Sequence, residues 1–115
     1  MRRDARAYLW DIQQASDAIM RFLDGLDAAT FAENELVYSA VERKFEIIGE
    51  ALGQLSKIDP DMAQRIPNMR DIIAFRNVLI HGYASIEHRR VWDIAQCSLP
   101  GLRTVVKELL EEFSG

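Results

Sequence analysis

The chain has a single cysteine, Cys97, which excludes a disulfide framework and leaves no thiolate cluster to hold zinc. Cys97 lies in a helical stretch and is expected to pack. Long apolar runs are also absent, and charges interrupt the opening MRRDARAYLWDIQQ, so neither a signal peptide nor a membrane helix fits. A cytoplasmic location is expected, with no membrane partner. Basic residues are in the minority: 14 Lys and Arg against 18 Asp and Glu leave a net charge of −4. This weighs against broad, sequence-independent nucleic-acid binding, whose affinity comes mainly from cations on phosphates. Any RNA contact must be local or created by assembly. No segment is low in complexity, and none alternates convincingly over strand length.

What is present is helical periodicity. The 115 residues, 49% hydrophobic and 28% charged, suit one soluble globular domain spanning residues 1–115. Tyr8, Ile12, Ala15, Ile19, Phe22 and Leu26 step by fours and threes, drawing one apolar stripe over about six turns, which Gly25 and DGLDAAT end. Thr30 or Asn34 can cap a second long helix carrying Val37, Val41, Phe45, Ile48, Leu52 and Leu55. Within it, Gly49 and Gly53 each cost about 1 kcal/mol of helix propensity relative to alanine, which points to close helix approach. KIDPDMAQRIPN, with Pro60 and Pro67, reads as a connector holding one short helical turn. A third helix runs from near Asn68 to Ile80 or His81, with Gly82 placed to terminate it.

The last helix starts around Ser85 and continues to about Phe113, kinked at Pro100. It carries two stripes, one through Val91, Ala95, Ser98, Leu102, Val105 and Leu109, the other through Trp92, Leu99, Val106, Leu110 and Phe113. The predicted fold is all-α, an up-and-down four-helix bundle. Two stripes on one helix suggest a core face and a second face for a homodimer. Trp10 and Trp92 read as core or interface anchors.

The segment RNVLIHGY, Arg76 to Tyr83, interrupts this pattern. Met69, Ile72, Ile73, Leu79 and Ile80 form one helix face, and Arg76 stands in its middle. A guanidinium there needs a carboxylate, a subunit interface or a phosphate; Glu46 and Glu50 are the nearest structural answer. His81 lies about 140° around the helix from Arg76, on the side of Asn77 and Arg70. The two converge on one phosphate only if the helix unwinds near Gly82, or if two copies meet across a dimer axis. His81 alone is also explained as a charge at a helix C-terminus.

If the two residues do converge, the chemistry they suit is metal-independent RNA cleavage. An imidazole with an ordinary pKa of about 6.5 can take the ribose 2′-hydroxyl proton or protonate the leaving oxygen. Arg76 would stabilise the charge developing on the phosphoryl oxygens. No cofactor or metal is required, and the sequence lacks the clustered carboxylate-and-histidine pattern of a metal nuclease. Tyr83 fits either a half-buried aromatic or a hydroxyl able to accept a nucleotidyl or phosphoryl group.

RNVLIHGY resembles the arginine, four residues, histidine, one residue, tyrosine signature of the HepT-like toxins in the HEPN superfamily. The resemblance extends to ERKFEIIGEALGQLSK (Glu42 to Lys57), IPNMRDIIAFRN (Ile66 to Asn77) and VWDIAQCSLPGL (Val91 to Leu102). It implies a HEPN-like helical bundle that forms a homodimer, with the motifs of two protomers lining a cleft. It further implies an RNase toxin acting on RNA such as tRNA or mRNA. A minimal, MntA-like nucleotidyltransferase antitoxin would neutralise it by transferring AMP to the motif tyrosine. Carried over, Arg76 and His81 are catalytic, Asn77 supports the site and Tyr83 is the AMPylation target.

A second reading is a non-catalytic helical dimer that binds a nucleotidyltransferase partner, and a third is nucleotide binding in the dimer cleft without cleavage. His88, Arg89 and Arg90 are expected on a solvated helix face. Glu42, Glu46 and Glu50, four residues apart, are expected as an exposed acidic face with one member paired to an arginine.

Overall fold

The computed structural model describes residues 4–81 and 86–114, and each helix start follows from local chemistry. The Asp4 carboxylate accepts from the Ala7 amide at 2.9 Å and opens α1 (Ala5–Leu23). Asp27 and Thr30 form a reciprocal capping box that starts α2 (Ala28–Glu33). Asn34 accepts from Val37 at 3.1 Å and opens α3 (Glu35–Ile58). Asp59 caps α4 (Pro60–Ala63), with Pro60 in the first turn, where its missing N–H costs nothing. The chain continues through α5 (Met69–His81), α6 (His88–Cys97) and α7 (Leu99–Ser114).

At about 1.5 Å per residue, the 24-residue α3 spans about 36 Å and sets the long dimension of a 42 × 29 × 24 Å molecule. It packs between α1 and α5, while α7 lies against α1 and α6 against α2. The core is one cluster: Leu9, Ile12 and Ile19 from α1 meet Phe45, Ile48, Leu52 and Leu55 from α3, with Ile72 and Phe75 from α5. Phe45 and Phe75 pack edge to face at 5.4 Å, tying α3 to α5 immediately beside Arg76.

The all-α bundle is as expected, and four details bear on the sequence reading. First, α1 ends at Leu23, where Gly25 takes a left-handed φ of 80°, and DGLDAAT contains the start of α2. Thr30 is therefore the third residue of a short helix, and Asn34 alone caps α3. Second, the third helix starts at Met69, in keeping with a start near Asn68, whose φ of 62° sets it just outside the helix.

Third, the last helix is broken rather than kinked. Pro100 has no N–H to give the preceding turn, and the chain interrupts at Ser98, so that Pro100 falls within the first turn of α7. The break leaves the helical register intact, the buried positions stepping by fours and threes across it. The buried residues are Val91, Ala95, Leu99, Leu102, Val106 and Leu109, a single stripe drawn from both predicted ones. The structure thus removes the double stripe as an argument for a second interface. Ser85 and Gly82 lie outside the described residues, and α6 begins at His88 after Glu87, which makes no side-chain cap.

Fourth, two residues expected to pack do not: Cys97 is exposed, and Gly53 has open space where a side chain would be. Trp10, expected as a core or interface anchor, is 55% exposed and is no part of this protomer's core. Trp92 is half-buried and packs 5.6 Å from Phe31. Among the described residues, no helix is long and apolar enough to cross a membrane.

Candidate functional site

Arg76 reaches its position through an unusually close crossing of α3 and α5. A Cβ built on Gly49 would lie 2.3 Å from the Arg76 Cβ and 2.7 Å from its Cγ. Only glycine lets the arginine stem lie flat against α3, which is why a residue unfavourable in helices sits in this one. Gly49→Ala gains about 1 kcal/mol of helix propensity but forces an overpacking cost of about 1–3 kcal/mol against the stem. Net destabilisation in urea melts is expected, whereas Gly53→Ala, with nothing within 4 Å, is expected to stabilise. Equal behaviour of the two variants would remove the close-crossing argument.

With its stem fixed, the guanidinium is aimed by two acceptors. Arg76 Nη2 donates to Glu50 Oε2 at 2.6 Å, and Nη1 donates to Asn77 Oδ1 at 3.0 Å. Glu50 also accepts from Gln54 Nε2 at 3.4 Å. The salt bridge that the sequence allowed with Glu46 or Glu50 is therefore made with Glu50. Arg76 Nε is buried without a partner, which leaves a donor unpaid. Two of the five guanidinium hydrogens are engaged, and Nη1 and Nη2 each keep one for an oxyanion. Because the pair is partly solvent-exposed, it orients the side chain more than it stabilises the fold.

His81 is the last residue of α5 and is exposed. The helix stays regular to that point, so His81 stands about 7.5 Å along the axis from Arg76 and about 140° around it. One protomer does not bring the two onto a single phosphate within the described residues. Tyr83, the proposed modification target, lies outside them.

Beside Arg76 a cleft of about 330 Å³ opens between α1, α3 and α5, lined by Tyr8, Asp11, Arg43, Glu46, Ile47, Glu50, Ala51 and Ile80 as well as Arg76 itself. Three carboxylates against two guanidiniums make it mildly acidic. Sequence periodicity marked the glutamates of α3, but Tyr8 and Asp11 were not singled out for it, since a cleft shared by three helices has no linear signal.

Of the α6 residues expected on a solvated face, Arg89 and Arg90 are exposed as expected, whereas His88 is partly buried. The His88 ring stacks on Tyr38 at 4.0 Å and 25°, with Nδ1 buried and unpartnered. Arg90 lies 5.8 Å over the Phe75 ring, and Arg89 pairs with Asp93 at 3.0 Å. Burial pushes the Glu42 carboxyl above its ordinary value of 4.5; nearby His88 opposes the rise and Glu46 adds to it. A carboxyl with a raised folded pKa binds its proton more tightly in the native state. Its contribution to stability therefore declines as pH climbs from about 4.5 through that raised value. Glu42→Gln is expected to flatten this decline in thermal melts taken between pH 4 and 7; parallel curves would count against it.

An all-helical bundle with Arg76, Asn77 and His81 on α5 fits the HEPN-type domain that the sequence resembles. The profile described as "Ribonuclease HepT-like" matches residues 12–109, and the chain belongs to that HepT-like family. It is 31% identical over 108 residues to "Putative RNase MJ1380" of Methanocaldococcus jannaschii, covering 92% of this chain and 96% of the relative. It is 28% identical over 116 residues to "Putative RNase MJ1216" of the same organism, covering 99% and 93%. To "Probable ribonuclease HepT" of Thermococcus cleftensis it is 29% identical over 109 residues, covering 95% and 98%. No solved structure matches the chain significantly.

Proposed function

We propose that the protein is a metal-independent endoribonuclease toxin that works as a homodimer in the cytoplasm. The observation that carries this reading is the aimed Arg76 guanidinium, with two hydrogens left for a phosphate, in a chain of the HepT-like ribonuclease family. The 140° between Arg76 and His81 on one helix is what calls for the second copy: motifs facing across a two-fold axis bring an arginine and a histidine to one phosphate.

In this mechanism His81 takes the proton from a ribose 2′-hydroxyl. The 2′-oxygen then forms a bond to phosphorus as the bond to the 5′-oxygen breaks. A protonated His81 of the second copy supplies the leaving oxygen with its proton. Arg76 bears the charge on the non-bridging oxygens. The products are a 2′,3′-cyclic phosphate and a 5′-hydroxyl. Asn77 keeps Arg76 aimed, and Tyr83 is where a nucleotidyltransferase antitoxin adds AMP to silence the site.

The test is cleavage of total RNA and of tRNA in EDTA by protein expressed without any partner. Fragments with those two ends are expected, from a species that scatters light as a dimer. Intact RNA, with intact mass showing unmodified Tyr83, would overturn the nuclease reading. The acidic cleft favours a second reading, a non-catalytic dimer that docks a nucleotidyltransferase, since Asp11, Glu46 and Glu50 repel free phosphates. That reading requires a stable complex with the partner and no cleavage.

A further inference from the structure

We infer that the cleft beside Arg76 is a nucleobase pocket and that Glu46 selects guanine in it. The inference rests on the RNA-directed reading of the same site and adds the base preference. At about 330 Å³ the cleft falls within the range of about 300–1,000 Å³ found for small-ligand pockets. Tyr8, Ile47 and Ile80 give it an aromatic and aliphatic lining suited to a flat ring.

The two glutamates on its α3 wall are not equivalent. Glu50 is committed to Arg76. Glu46 is half-buried, its one ion pair among the described residues is with Arg43 at 4.0 Å, and Arg43 is itself 68% exposed. A partly desolvated carboxylate without a close donor is an acceptor pair awaiting one. In an RNA site it would otherwise only repel phosphate.

Two parallel N–H donors match a carboxylate, and the Watson–Crick edge of guanine presents such a pair in N1–H and the N2 amine. Adenine and cytosine set a ring acceptor beside their amine, which faces the second carboxylate oxygen unfavourably. Uracil flanks its N3–H with two carbonyls and is the poorest fit. Glu46 and Glu50 are four residues, about 6 Å, apart along α3. A nucleotide whose base meets Glu46 therefore has its phosphate on the side of the cleft where Arg76 keeps its unused hydrogens.

The experiment titrates protein carrying His81→Ala with GMP, AMP, CMP and UMP, followed by NMR. GMP is expected to bind roughly tenfold more tightly than UMP, the scale of a bidentate base contact. Glu46→Gln on the same background is expected to bring that ratio close to one, and Glu46→Ala provides a second measurement should the glutamine variant fold poorly. Equal affinities in the parent, a ratio that survives both substitutions, or no binding at millimolar nucleotide would each overturn the inference. Cleavage of RNA without guanine preference would sink the pocket and leave the nuclease standing. Guanine-selective binding with no cleavage would do the reverse.

Discussion

His81→Ala is expected to lower RNA cleavage by about 10²–10⁴-fold, the contribution of a positioned general acid or base. The fold should scarcely register the change. His81 is exposed at the end of α5, so its truncation opens no cavity in the core. A large kinetic effect with a small thermal one separates chemistry from structure. Equal cleavage by wild type and variant, measured in EDTA on the same RNA, would take His81 out of the mechanism.

Arg76→Ala should cost about 10²–10³ in kcat, the scale of removing one donor from a developing oxyanion. Arg76→Lys is the sharper test. Lysine keeps the charge but offers a single point in place of a fork, so it cannot hold Glu50 and Asn77 while also presenting two hydrogens to a phosphate. Less than a tenth of wild-type activity is expected from it. Both variants should still fold, because Glu50 is 53% exposed and regains water when its partner is removed. Full activity in the lysine variant would reduce Arg76 to a generic cation, and unfolding of both would make it a structural residue.

The long elements were legible because their chemistry is periodic and redundant. The α1 and α3 stripes repeat over five or more turns, and Asn34 marks the start of α3 with a capping side chain. Six residues of α2 cannot display a period, so its capping box passed for a connector. The α6–α7 break was hidden for a different reason. Pro100 is tolerated within a first turn as well as at a kink, and the choice depends on which residues find the core.

At the site, an arginine inside an apolar face announced a partner, and the four-residue spacing of glutamates on α3 supplied the candidates. The cleft was not legible, since Tyr8, Glu46 and Ile80 lie on three helices and meet only once those helices pack. Nor was the Tyr38–His88 stack. A histidine followed by two arginines at a helix start reads as solvated unless the facing aromatic is known.

The Gly49–Arg76 contact has a consequence for descent. The atom nearest a Cβ at 49 is the Cβ of Arg76, which every residue except glycine carries. Losing the guanidinium therefore does not release position 49, which stays glycine for as long as α3 and α5 cross this closely. Copies that have become inert scaffolds should keep Gly49 while position 76 drifts. The glycine would then record the inheritance of the crossing, and the arginine alone would record whether a lineage still cuts RNA.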